Sequence, residues 1–187
     1  MLVLDARNHK SREGGPSFPL RHRIFRFVWT AVWLLFASWT PPPLHPWRSF
    51  LVRLFGGRIE PTARIYGTAS IWYPPYLSMA DHSVLGPGVN CYCMAPLLVG
   101  RYAVVSQGAH LCGGTHDVDD PYFQLVTKPI EIGAFAWIAA EAFVGPGVRV
   151  GEGAVLGARA VAMKDLEPWS VYIGNPAQFL RYRKRVE

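Results

Sequence analysis

Acidic residues, cysteines and uninterrupted apolar stretches are all scarce in this chain. Asp and Glu number 13 against 19 Lys and Arg in 187 residues, a formal net charge of +6. That balance favours anionic partners. The basic residues gather toward the two ends, with no aromatic-basic motif of a nucleic-acid module between them, so no nucleic acid is expected as a partner. The three cysteines, Cys91, Cys93 and Cys112, are an odd number without framework spacing, which excludes a disulfide scaffold and predicts a reducing, cytoplasmic compartment. The apolar stretch RIFRFVWTAVWLLFASW (Arg23 to Trp39) falls short of the about 20 residues that span a bilayer. Arg26 interrupts it, Pro41, Pro42 and Pro43 end it, and no small-residue cleavage site of a signal peptide follows. The first expectation is a helix packed on its own domain or on a neighbouring subunit, the second a peripheral membrane contact, the third an anchor.

What the chain has in quantity is turn formers, 18 Gly and 16 Pro. From Ile59 onward, apolar residues recur every six positions: Ile59, Ile65, Ile71; Met79, Leu85, Cys91; Val99, Val105, Leu111; Ile132, Ile138, Val144; Val150, Leu156, Ala162. A period of six fits neither an amphipathic helix nor an alternating strand. It fits a parallel β-helix, in which each hexad supplies one short strand and a corner, and three hexads close a triangular coil. The interruptions agree with that grouping. Two extra residues follow Ile71, two follow Cys91 and fifteen follow Leu111, so every insertion leaves from the same corner. The expected division is a flexible tail over 1–20, an apolar helical segment over 21–56, a β-helix of about five coils over 57–168 with a loop projecting at 117–131, and a basic segment, a short helix or tail, over 169–187.

With VGRYAVVSQGAHLCGGTHD, IEIGAFAWIAAEAFVGPGVRVGEGAVLGARAVAMKD and VYIGNPAQFL laid out, the chain resembles the hexapeptide-repeat acyltransferases. Within them it is similar to the exopolysaccharide O-acetyltransferases of the colanic acid type and, more distantly, to the galactoside and maltose O-acetyltransferases. The resemblance implies a left-handed parallel β-helix, a homotrimer with active sites between subunits, acetyl-CoA as donor and a sugar or polysaccharide as acceptor.

Transfer of an acetyl group from a thioester to a hydroxyl needs a base, and histidine, with an ordinary pKa of about 6.5, remains neutral yet basic at pH 7. His116 ends the third coil beside the long insertion and matches the base of the resembling enzymes. Asp117 or Asp120 would hold the other ring nitrogen and fix the tautomer. Asn90, Cys93 and Asp120 are candidates for substrate contact, and Cys91 fills a core slot. By resemblance, Trp137 shapes the acyl end of the donor groove, Ala140 and Ala158 offer backbone groups, and Lys164 and Arg181 reach phosphates. No metal is expected, although His82, His110 and His116 raise the rival reading of a zinc-bearing β-helix carbonic anhydrase. N-acetylation of an amino sugar, or a non-catalytic scaffold role in a glycan-assembly complex, would account for the same repeat.

Overall fold

The computed structural model describes residues 3–185. Three parallel sheets form the faces of a triangular prism, and the hexad anchors stack in three columns. On the first face Ile59, Met79, Val99, Ile132 and Val150 lie in register. On the second face the column is Ile65, Leu85, Val105, Ile138 and Leu156. The third carries Ile71, Cys91, Leu111, Val144 and Ala162. All fifteen are buried in one continuous core. Each coil's backbone groups bond to the next coil, as in Gly86 N–H to Val105 O at 2.8 Å and Ser106 N–H to Ile138 O at 2.8 Å. The glycine after many anchors follows from this close stacking. A Cβ on Gly133 would sit 2.7 Å from the backbone nitrogen of Glu152 in the coil beyond.

The stack has about six turns rather than five. Leu166 bridges to Val150 and Tyr172 pairs with Leu156, continuing the first and second columns. Leu166 comes only four positions after Ala162, so a strict six-residue count loses the phase at that step. The described part of the C-terminal segment is strand and turn, not helix. Ser170–Ile173 extends the second face, turns at Gly174 (φ +90°), and Gln178–Tyr182 returns antiparallel to it. Its β-branched and aromatic residues suit an added strand.

The other end of the prism is closed by helices. Ala6–His9 forms the single-turn helix α1, Leu20–Phe36 forms α2 and His45–Leu54 forms α3. Trp29 and Trp33 on α2 are buried and donate their indole N–H groups to the first coil, to Ile71 O at 2.6 Å and Gly67 O at 3.1 Å. Helix α2 thus caps carbonyls that an open β-helix end would leave unpaired. Its outward side, with Leu20, Ile24, Phe27, Leu34 and Leu35, is exposed. No described helix is long and apolar enough to cross a membrane.

Arg48 on α3 pins the cap. It is fully buried and donates to Ile65 O (2.5 Å), Thr40 Oγ1 (2.7 Å), Pro42 O (2.9 Å) and Pro41 O (3.0 Å). Its charge is spread over carbonyls and the Thr40 hydroxyl, with no ion-pair partner among the described residues. Replacing Arg48 with Met leaves these acceptors buried without a donor, at a cost on the order of 3 kcal/mol. Thermal unfolding of R48M is expected roughly 6–12 °C below wild type. A Tm within 2 °C or so of wild type would show that the cap holds without it.

Candidate functional site

The long insertion after the third coil is a β-hairpin. Gly114–His116 runs antiparallel to Leu125–Thr127, with Gly114 opposite Thr127 and His116 opposite Leu125. The excursion therefore begins before 117 and ends before 131, since Ile130 and Glu131 already lie in the first face. His116 consequently stands within the arm and not at the end of the coil. A Cβ on Gly114 would overlap Met94 Sδ, so a side chain there would have to displace the end of the Met94 chain.

The imidazole of His116 is held from two directions. Its ring stacks on Phe123, with centroids 4.2 Å apart and planes 10° from parallel, and Nδ1 lies 2.8 Å from Phe123 O. A carbonyl can only accept, so this partner assigns the proton to Nδ1 and leaves the lone pair on Nε2. Phe123 adopts a left-handed backbone conformation, φ +56°, which is uncommon for an aromatic residue. The expectation that Asp117 or Asp120 orients the ring is corrected here. Asp117 Oδ1 accepts from Asp119 N–H, and the Asp120 carboxylate accepts from the Tyr122 and Gln124 amides, so both aspartates fold the hairpin tip.

His116 lines a cavity of about 330 Å³ together with Leu125 of the hairpin, Tyr92 and Met94 of the preceding coil, Arg23 and Arg26 of α2, and Gly14, Pro16, Ser17 and Phe18. The segment expected as a flexible tail thus walls the site. The Gln124 side chain bonds Ala6 N–H and Leu4 O, Arg7 stacks on Tyr122, and Arg12 stacks on Phe123. Sequence reasoning did not foresee Arg23, Arg26, Tyr92 or Phe18. The signal available was Arg26 itself, a charge inside an apolar run.

The remaining candidates are dispersed. Cys93 is wholly buried and its thiol meets the Tyr73 backbone at 3.3 Å, donating to the carbonyl and accepting from the amide, which leaves it no surface for a substrate. Asn90 sits on the third face in register with Ser70 and His110, outside the cavity lining. Trp137 is half exposed on the second face, donates to Ser106 Oγ at 2.9 Å, and borders a second cavity of about 330 Å³ with Tyr102, Val104, Phe135 and Arg183. Ala140 and Ala158 occupy equivalent corner positions one coil apart, and among the described residues neither N–H donates a hydrogen bond. Lys164 lies at a different corner, in a cavity of about 440 Å³ with Met163 and Gln178, and Arg181 is exposed on the last strand. A larger groove, about 700 Å³, runs down the first face past Ser78, Leu98 and Glu131 and includes no candidate residue. His82 stacks on Tyr102, His110 packs against Phe143, and among the described residues no group of three or more His, Cys, Asp or Glu could hold a metal ion.

A triangular β-helix with a histidine-bearing hairpin at its insertion corner is the architecture expected from the resemblance to the hexapeptide-repeat acyltransferases. No protein-family model matches the chain. A protein of Escherichia coli (strain K12), provisionally named colanic acid biosynthesis acetyltransferase WcaF, is 39% identical over 160 residues, covering 86% of this chain and 88% of its own. The chain belongs to the hexapeptide-repeat acyltransferases, in the group of the colanic acid acetyltransferases, and is an acetyltransferase. Among solved structures, a hexapeptide-repeat acetyltransferase of Vibrio cholerae, VCA0836, complexed with acetyl coenzyme A, superposes with a TM-score of 0.75 at 20% identity over 91% of this chain and 93% of that one. A maltose O-acetyltransferase from Clostridium difficile 630 gives 0.73 at 17% identity over 89% and 90%. These share the left-handed parallel β-helix.

His22, behind the cavity wall, is buried among Phe18, Trp72 and Tyr73, and neither ring nitrogen has a hydrogen-bond partner among the described residues. Burial, and next the Arg26 guanidinium, push its pKa down to about 4. Because the folded value lies below the ordinary value of about 6.5, the unfolded chain gains a proton that the folded one refuses. His22 thus costs no stability above about pH 6.5, and stability declines as pH falls toward 4. His22→Phe should remove that share of the slope, so the Tm advantage of the variant should widen between pH 7 and pH 4.5. Parallel pH profiles would refute the assignment.

Proposed function

We propose that this acetyltransferase uses acetyl-CoA to O-acetylate a sugar hydroxyl in exopolysaccharide biosynthesis, with His116 as general base. The observation that carries the reading is the fixed ring of His116, proton on Nδ1 and lone pair on Nε2, in the wall of a cavity. Nε2 takes the proton from the acceptor hydroxyl as its oxygen attacks the thioester carbonyl, and the imidazolium returns that proton to the departing thiolate. The Phe123 carbonyl stabilises the imidazolium in between. A hydroxyl needs that base more than an amine does, which favours O- over N-acetylation. The name of the E. coli relative supports an exopolysaccharide acceptor.

The donor supplies an acyl group already activated as a thioester. Trp137 and Val104 offer it an apolar strip, the free amides of Ala140 and Ala158 can bind its amide carbonyls, and Lys164 and Arg181 are cations for its phosphates. Trp137, Ala140 and Ala158 lie along a different edge of the prism from His116, whereas Lys164, between Ala162 and Leu166, shares the hairpin's corner. Trp137 and Ala140 belong to the second face and its corner with the third, whereas the hairpin leaves the corner between third and first. A base from one subunit meeting a donor groove on the next resolves that separation, which supports a homotrimer with interfacial sites. The exposed Leu20, Phe27 and Leu35 of α2, beside Arg21 and Arg23, suit a peripheral contact with an anionic membrane surface.

His116→Ala should fold with an unchanged thermal transition and lose turnover by about 10² or more, measured as CoA release in the presence of a sugar acceptor. Near wild-type turnover would remove His116 from the mechanism. For the membrane contact, wild type should co-sediment with vesicles containing anionic lipid, and Phe27→Asp should not. Equal sedimentation of the two would remove α2 from that role.

A further inference from the structure

The cavity beside His116 carries positive charge that no ion pair among the described residues balances. Arg23 and Arg26, one turn apart on α2, both line it, and no Asp or Glu does. Neither arginine takes part in an ion pair among the described residues. Arg26 lies with its guanidinium 4.2 Å over the Trp72 ring, and its Nε is buried without a hydrogen-bond partner. Burial of a charged donor left unpaired is destabilising, and an apolar side chain could cover Trp72 without that penalty. The arrangement therefore serves something other than packing. Tyr92 adds a hydroxyl on the same wall, and burial raises its pKa, so it remains a donor at neutral pH.

We propose that this cavity receives an anionic group of the acceptor, a carboxylate or a phosphate, held by Arg26 and Arg23 with the Tyr92 hydroxyl, so that the enzyme selects charged sugars over neutral ones. The proposal rests on the reading of His116 as base and extends it. Charge conservation gives the anion a second use. When Nε2 accepts the hydroxyl proton, a third positive charge forms in a cavity that already holds two guanidiniums. A neutral acceptor leaves all three uncompensated, whereas an anionic one offsets them at the step where the imidazolium appears. Guanidinium is suited to this task, because its planar fork grips carboxylate and phosphate oxygens two at a time.

The test compares three small probes, methyl glucuronide, glucose 1-phosphate and methyl glucoside, by calorimetric binding and by acetyl-CoA-dependent acetylation. At least one anionic probe should bind about tenfold or more tightly than methyl glucoside and be acetylated faster, with the advantage shrinking as salt rises. Preference for the glucuronide alone assigns a carboxylate, and preference for glucose 1-phosphate alone a phosphate. Arg26→Gln should abolish the preference, and Arg26→Lys should restore only part of it. Should Arg26→Gln unfold, Arg23→Gln, at an exposed position, should still reduce the preference several-fold. His116→Gln should keep the binding preference while losing turnover, which separates this inference from the assignment of the base. Equal binding of all three probes by wild type, or an undiminished preference in the folded arginine variants, would overturn it.

Discussion

Vertical register governs this molecule. Each apolar anchor must fall on the anchor of the coil before it, because the same residues that fill the core also carry the inter-coil hydrogen-bond ladder. A shift of one residue within a coil would turn core side chains outward on every later face. Insertions are therefore admissible only at corners, between one anchor strand and the next. The Pro74–Tyr76 turn, the 93–96 excursion and the hairpin all use one corner, between the third face and the first. Placing the hairpin there leaves Ile132, Ile138 and Val144 in their columns.

The same ladder creates the need for a cap. A parallel β-helix ends in unpaired backbone groups, and here α2 and α3 answer with side chains: two indoles to the Ile71 and Gly67 carbonyls, one guanidinium to Ile65 O. The apolar stretch that raised a membrane question in the sequence is divided between these tasks. Trp29 and Trp33 face the coil, His22 and Arg26 face the hairpin side, and the outer residues remain exposed. One helix thus closes the scaffold and walls the site.

The repeat was readable because its signal is redundant: fifteen anchors in three phases survive any single exception. The parts that escaped are those set by one contact each. The sixth turn hides behind the four-residue step from Ala162 to Leu166. The hairpin's true limits depend on pairing from Gly114 to Thr127, which polar, glycine-rich residues do not announce. An aspartate beside a histidine suggests an ion-paired ring, yet Asp117 and Asp120 bond to amides of their own turn, and a backbone carbonyl from Phe123 orients His116. Main-chain partners leave no mark in the order of side chains. Arg26 did leave one, as a charge within an apolar run, and its meaning needed the fold that brings α2 against the hairpin.

Orientation by a carbonyl has consequences that a carboxylate would not have. A carboxylate on Nδ1 would add a full negative charge beside the ring and by itself offset the imidazolium that the proposed base would form. A carbonyl fixes the same tautomer with only a dipole, so the positive charge must be balanced elsewhere. Within this chain the surroundings make that balance worse, since Arg23 and Arg26 share the cavity. On the proposed role of His116, the neutral hinge of the ring and the arginines without an ion-pair partner among the described residues would be two halves of one electrostatic arrangement, completed by an anionic acceptor. That dependence would tie turnover to the charge of the sugar as well as to its shape.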